Sequence, residues 1–267
     1  MLYIIATPIG NLDEITKRAL DTLNECDFVA CEDTRRSGLL LNRFGISKPL
    51  IKYETHSEAT SATKLLNLLR EGKNIALISD AGMPLISDPG SHLITACIAE
   101  SIPYTVISGP CACINAVVLS GFDTRSFCML GFLPDKKKDR DEYIDRFADL
   151  QSTLVLYCPP HDLDNYLDYL HSRLGSRKIT IVRELTKIYE DIVRGELGQS
   201  IQINRKGEMV IVIEGAKPTE NPLLDLSIVN HVDYYIKSGM TKNEAIKSAA
   251  KDRVVHKNEI YKEIVNS

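Results

Sequence analysis

The chain has 267 residues, 44% of them hydrophobic and 25% charged, the make-up of a globular protein with enough length for two domains. No apolar run approaches the roughly 20 residues of a membrane helix, and the start, Met1 to Ala6, lacks the basic flank and cleavage site of a signal peptide. A net charge of −4 argues against bulk attraction to nucleic acid, and seven scattered cysteines without zinc spacing read as reduced thiols of a cytoplasmic protein with no metal and no membrane partner.

Taken in chain order, Leu2–Ala6 is a β-rich run, followed by a helix over Ile15–Asn24 with Ile15, Ala19, Leu20 and Leu23 at helical spacing. Phe28–Cys31 reads as a second strand and Gly38–Phe44 as a short helix stopped by Gly45. Ser57 is placed to cap a long helix striped with Ala62, Leu65, Leu66 and Leu69 and ended by Gly72. Strands Ile75–Ser79 and Tyr104–Ile107 alternate with helices His92–Glu100 and Cys111–Leu119. After a hinge at Gly121-Phe122-Asp123, strands are expected at Phe127–Phe132, Thr153–Tyr157, Ile179–Arg183 and Met209–Ile213, with helices at Arg140–Leu150 and Leu163–Leu174. A polar linker, Lys217–Pro222, leads to a small helical appendix in which Thr241 caps a helix. The alternation predicts an α/β protein with mostly parallel sheet covered on both faces, divided at 1–120, 121–216 and 223–267.

Charge is uneven along this plan. From Tyr234 onward seven Lys/Arg face four acids, so the appendix is basic on an acidic chain, and Lys136-Lys137-Lys138-Asp139-Arg140 forms a second basic cluster. Charge runs are usually solvated faces, but two such patches also suit contacts to phosphate.

Chemistry is expected beyond the carboxyl ends of the strands, where open α/β sheets bind ligands. Four loops fall there: Thr7–Leu12, Cys31–Arg35, Ser79–Gly90 and Ser108–Ala112. Dinucleotide and P-loop glycine patterns are missing, as are HExxH and GxSxG. Ser79–Gly90 is the most specific of the four. Gly82 and Gly90 permit positive φ or close approach, Pro84 and Pro89 stiffen the turn, and Asp80 suits a ligand with an amine or a positive centre. The competing reading is a rigid structural turn in which Asp80 caps the next segment.

The stretches Leu2–Leu12, Glu32-Asp33-Thr34-Arg35, Ser79–Gly90 and Gly109-Pro110-Cys111-Ala112 together resemble the tetrapyrrole-methylase superfamily, from Leu2 to about Gly215. Within it they are similar to the branch that methylates the ribose 2′-hydroxyl of a cytidine in bacterial 16S ribosomal RNA. The resemblance implies two α/β domains of tetrapyrrole-methylase type with S-adenosylmethionine in the cleft between them, a small C-terminal helical appendix, a homodimer, and 16S ribosomal RNA or the small ribosomal subunit as partner. It assigns to the cofactor Pro8, Asp80, Ala81, Gly82, Pro110, Ala112, Tyr157, Cys158 and Met209, the last within the backbone segment Glu208-Met209-Val210. Met83 stands where the family carries threonine. Glu32 and Asp33 are the carboxylates nearest the expected chemistry as general base, with helix capping as the plainer role. Arg35 is favoured over Arg36 as a phosphate ligand, and Lys187 is a further polar candidate. A methyltransferase for a small tetrapyrrole, and a noncatalytic nucleotide- or RNA-binding module, remain as other readings.

Overall fold

The computed structural model describes residues 1–53, 58–88, 90–217 and 222–265. Ser57 as a helix cap and Pro89 as a loop stiffener lie outside the described residues. Met1–Ala216 and Lys217–Ser267 form two compact units.

The first unit begins with a sheet of five parallel strands, β1 (Leu2–Ile5), β2 (Phe28–Cys31), β3 (Leu50–Lys52), β4 (Ile75–Ile78) and β5 (Tyr104–Ile107), in the order β3-β2-β4-β1-β5. Helices α1 (Lys17–Glu25), α2 (Thr34–Arg43), α3 (Glu58–Arg70) and α4 (Ser91–Ala99) make the crossovers. Side chains alternate across the strands as the period of two requires. Leu2, Ala30, Ile75 and Leu77 meet Leu65, Leu69, Leu93 and Cys97 on one face. Ile5, Val29, Cys31 and Ile78 meet Ala19, Leu23 and Leu41 on the other. Burying each such aliphatic side chain contributes roughly 1.5–3 kcal/mol. Helix α2 starts at Thr34, four residues before the expected Gly38. The Asp33 carboxylate accepts the N–H groups of Arg35 at 2.7 Å and Arg36 at 3.3 Å, an N-cap that lets a polar first turn form.

Helix α5 (Ala112–Ser120) follows β5 and packs on a second sheet, built from β6 (Phe127–Gly131), β7 (Thr153–Cys158), β8 (Lys178–Arg183), β9 (Asp191–Glu196) and β10 (Met209–Ile213) in the order β6-β7-β10-β8-β9. Only β6 and β7 pair in parallel; β7-β10, β10-β8 and β8-β9 are antiparallel. The expected repeat of a parallel pattern therefore fails in this half. No helix separates β8, β9 and β10 among the described residues, so the chain returns by reversal rather than crossover. Helices α6 (Lys137–Asp145) and α7 (Leu163–Leu174) cover the opposite face through Ile144, Leu163, Leu167 and Leu170 against Leu154, Leu156, Ile181 and Ile211.

The second unit is helical: α8 (Ile228–Lys237), α9 (Lys242–Asp252) and α10 (Lys257–Val265). Thr241 and Glu244 form a reciprocal capping box at the start of α9, the cap expected from the sequence. Val232, Ala245, Ile246, Ala249, Ala250 and Ile260 make its core. His231 is fully buried between two charged groups. Arg253 Nε donates to its Nδ1 at 3.1 Å, which leaves Nε2 as the protonated nitrogen donating to Asp252 Oδ2 at 3.1 Å. Tyr235 also donates to Asp252. Arg253 is thereby turned inward, whereas Lys237, Lys242, Lys247, Lys251, Lys257 and Lys262 are exposed.

All seven cysteines are free, and Cys26, Cys31, Cys97, Cys113 and Cys158 are buried. No described helix is long and apolar enough to cross a membrane.

Candidate active site

The loops after β1, β2, β4 and β5 leave the first sheet at its carboxyl edge. The loops after β1 and β4 are locked together: Thr7 N–H donates to Gly82 O at 2.9 Å, Gly82 N–H to Thr7 O at 3.1 Å, and the Thr7 hydroxyl to Ser79 O at 3.1 Å. Gly82 has φ of +85°, and a Cβ there would stand 3.1 Å from Ile9 Cγ2, so both backbone and space call for glycine. Leu85 (φ 70°) and Ser87 (φ 64°) in the same loop, with Glu184 (φ 51°) and Thr186 (φ 65°) across the cleft, are four of the six positive-φ residues other than glycine among those described. Such strain persists where surrounding structure over-determines it, typically around ligand sites.

Facing this edge are the end of β7, the start of β10 and the loop after β8. Between the two sets of loops lies a cleft of about 370 Å³. Asp80, Ala81, Gly82, Ala112, Tyr157, Cys158 and Met209 line it, seven of the nine residues assigned to the cofactor by resemblance. Met83 lines it as well. Pro8 lines an adjoining cavity, and Pro110 lines neither. The walls are mainly apolar, with Phe132 and Tyr157 at 5.4 Å between ring centroids, and burial raises the Tyr157 phenol above its usual range. Three carboxylates, Asp80, Asp88 and Glu208, border the cleft, with no lysine or arginine among the described lining residues.

The adjoining cavity, about 220 Å³, differs in carrying cations. Arg36 and Lys187 line it together with Pro8, Gly10 and Leu40, and it shares Asp80 and Glu208 with the cleft. Arg36 Nη1 lies 3.3 Å from Asp80 Oδ2, and Lys187 Nζ lies 2.8 Å from Glu184 Oε1 and 2.9 Å from Glu208 Oε2. Burial works against the Lys187 charge, but its bonds to Glu184 and Glu208 outweigh it and hold the pKa above the ordinary lysine value. Lys187 is thus a fixed cation rather than a proton acceptor. Loops from the two sheets meet closely here: a Cβ on Gly10 would fall 2.5 Å from Lys187 Cγ.

Glu32, Asp33 and Arg35 line neither cavity. Glu32 borders a crevice beside Asp88. The N–H groups of Arg35, then Arg36, hold the Asp33 carboxyl below its usual range, which suits a cap and weakens it as a base. Arg35 is exposed; Arg36, one residue on, is the one directed to Asp80. The first-turn position of Arg36 becomes visible once Asp33 is recognised as the start of α2. Glu208 is expected from the sequence only for its backbone, and Glu184 and Asp88 are not singled out there; Glu208 meets Lys187 and Glu184 across more than 20 residues, and Asp88 meets Glu32 from another loop.

Burial, then the charges of Glu32 and Asp80, push the Asp88 carboxyl up to about 6 against a hydrogen bond from Ser79. The folded chain therefore keeps this proton more tightly than the unfolded chain, whose reference is 3.8. Stability falls as pH rises between those values, and the penalty is complete above pH about 6. Asp88→Asn is expected to stabilise the fold by about 1–2 kcal/mol near pH 7.5, allowing for solvent screening of a half-buried group, and to lose most of that gain by about pH 4. Denaturant titrations at the two pH values check this; equal midpoints for both proteins throughout would refute it.

Among the described residues no group of three His, Cys, Asp or Glu side chains is placed to hold a metal ion. A family model for tetrapyrrole (corrin/porphyrin) methylases matches residues 1–200. A protein of Halalkalibacterium halodurans named ribosomal RNA small subunit methyltransferase I is 44% identical, covering 97% of this chain and 93% of that protein. The protein of that name in Bacillus subtilis is 38% identical over 98% of this chain and 92% of its own length. In Escherichia coli O157:H7 the identity is 44% over 83% and 80%. Among solved structures, the methyltransferase CobJ has a TM-score of 0.62 at 18% identity, covering 80% of this chain and 94% of that one. Uroporphyrin-III-C-methyltransferase from Thermus thermophilus has a TM-score of 0.55 at 20% identity, covering 79% and 93%.

Proposed function

Since the chain belongs to the tetrapyrrole (corrin/porphyrin) methylase family and uses S-adenosylmethionine as methyl donor, we propose that its acceptor is the ribose 2′-hydroxyl of a cytidine in small-subunit (16S) ribosomal RNA. One observation carries the reading: the cations are confined to one of two adjoining cavities. A cleft bordered by three carboxylates and no lysine or arginine repels phosphates and favours a ligand bearing an ammonium and a sulfonium. The neighbouring cavity, with Arg36 and Lys187, suits a nucleic-acid backbone. Relatives named for small-subunit ribosomal RNA, at up to 44% identity over nearly the whole chain, support the same acceptor.

The residues present fit the donor. Gly82 leaves space that a side chain would fill, apolar walls at Ile9, Tyr157 and Val210 suit an adenine, and Asp80 supplies negative charge beside them. When bound, S-adenosylmethionine supplies an electrophilic methyl carbon on a positive sulfur. The chain's part is alignment. The β1 and β4 loops, pinned by the Thr7–Gly82 pair, hold one side of the cleft rigid. Arg36 and Lys187 position the acceptor backbone from the adjoining cavity. Orientation of this kind supplies much of the acceleration in two-substrate reactions. Glu208, which borders both cavities, is on this reading the carboxylate available to a departing hydroxyl proton, while Asp80 serves the donor. Asp33 supports the site as the cap of α2; Lys136, Lys137 and Lys138 in the first unit, and separately the exposed lysines of the appendix, are further cations available to RNA.

The active form is a cytoplasmic homodimer on this reading. Tyr104 and Val106 on the outer strand β5, with Ile114 and Val118 one turn apart on α5, leave apolar side chains exposed, a surface suited to a second copy. Sedimentation velocity showing monomer alone would remove this part. The acceptor is tested by mass mapping of ribose methylation in small-subunit RNA with and without the gene. Loss of one methyl at a cytidine is expected. An unchanged map, with methyl transfer to a tetrapyrrole precursor, would move the chain to small-molecule chemistry; cofactor binding without turnover on any RNA would mark a binding module.

A further inference from the structure

Asp80 and Glu208 are the two carboxylates common to both cavities, and each holds one cation of the smaller one. The two pairs differ in how firmly they are held. Lys187 is tied to Glu184 as well as Glu208, so it stays in place if one partner leaves. Arg36 reaches Asp80 through a single nitrogen at 3.3 Å, and its side chain is 72% exposed while that of Asp80 is 25% exposed. An exposed ion pair of this geometry is weak and readily exchanged. Asp80 has its own anchor: the Asp33 N–H donates to Oδ1 at 3.4 Å, whereas Arg36 sits on Oδ2. One oxygen is thus held by the start of α2, and the other is open to a competitor arriving in the cleft.

We propose that Asp80 exchanges Arg36 for the amino-acid end of the methyl donor, so that loading the cleft releases Arg36 to the acceptor's phosphate. The inference rests on the donor and acceptor assigned above. It makes Arg36 a positioning residue and Asp80 the point at which the two sites communicate. Donor and acceptor then bind with positive coupling, and by reciprocity each tightens the other by the same factor. The factor is bounded by what the displaced pair is worth, about 2- to 5-fold for an exposed pair.

S-adenosylhomocysteine is the probe, because it keeps the amino-acid end, carries no net charge there and transfers nothing. Calorimetry without RNA compares the whole wild-type chain with Arg36→Ala and Arg36→Lys. The alanine variant is expected to bind the probe about 2- to 5-fold more tightly, since the competitor is gone, and the lysine variant to resemble wild type. Binding of a small-subunit RNA fragment is then measured with and without saturating probe. Wild type is expected to gain the same factor, and Arg36→Ala to show none. Equal or weaker probe affinity in Arg36→Ala, or wild-type RNA affinity indifferent to the probe, overturns the exchange. A wild-type chain that binds the probe yet never methylates small-subunit RNA fails the acceptor reading, while the RNA-free calorimetry still decides the exchange.

Discussion

Gly82→Val is expected to lower affinity for S-adenosylhomocysteine by about 100-fold, the equivalent of about 2.7 kcal/mol. Position 82 has φ of +85°, a region that β-branched residues avoid at a cost of about 1–3 kcal/mol. Relief by rotation is closed off, because both backbone groups of Gly82 are paired with Thr7. The new Cβ would meet Ile9 at 3.1 Å, on the wall of the cleft itself. Strain, lost pairing and lost space therefore act together on the donor side. Gly72→Val is the matched control. Its φ is +83° but nothing lies within 4 Å of the added Cβ, so it carries the strain as lower stability and leaves affinity alone. Calorimetry on both, with thermal melts to show that each folds, makes the check. Equal affinities for wild type and Gly82→Val would dissociate this loop from the donor.

The second large effect is expected from His231→Ala. The imidazole is fully buried and links Arg253 on one side to Asp252 on the other. Removing it leaves the guanidinium and the carboxylate without that shared partner, at a cost of about 2–4 kcal/mol for a broken charged network. The helical unit, Lys217–Ser267, is small, and domains of that size have little stability in reserve. Amides of α8, α9 and α10 are expected to lose most of their hydrogen-exchange protection in the variant. Protection equal to wild type would show that apolar packing around Val232, Ile246 and Ile260 suffices alone.

Legibility of the fold followed the locality of its causes. The strands now called β1, β2, β4, β5, β7 and β10 are dense in β-branched and aliphatic residues, and helices such as α3 and α7 carry clear stripes, so each declared itself. Strand β9, Asp-Ile-Val-Arg-Gly-Glu, has no clear alternation and a glycine next to its last residue; it is a strand because β8 offers it an edge. Strand β3 is three residues long for the same reason. The antiparallel character of the second sheet is hidden because β10 pairs with β7 and β8 across more than 25 residues and nothing in a strand's composition states its direction. The candidate site divides the same way. Loop residues such as Asp80, Ala81 and Gly82 stand out through turn chemistry. Arg36 and Glu208 matter through contacts with other loops, and Asp88 in part through Glu32, which no local pattern encodes.

The distribution of thiols gives the molecule a set of internal clocks. Burial pushes Cys26 and Cys113 up to about 11 and Cys158 up to about 12, so none presents the thiolate that alkylating reagents consume. Each is labelled only when its own element opens. Cys97 times α4, Cys158 times β7, and Cys113 times the lifting of α5 from the second sheet. Cys111, partly exposed on the wall of the cleft, reacts without such opening and reports instead on whether the cleft is filled. Site-resolved alkylation by mass spectrometry, run with and without the methyl donor, would read how tightly the donor clamps the two sheets together without altering a single residue.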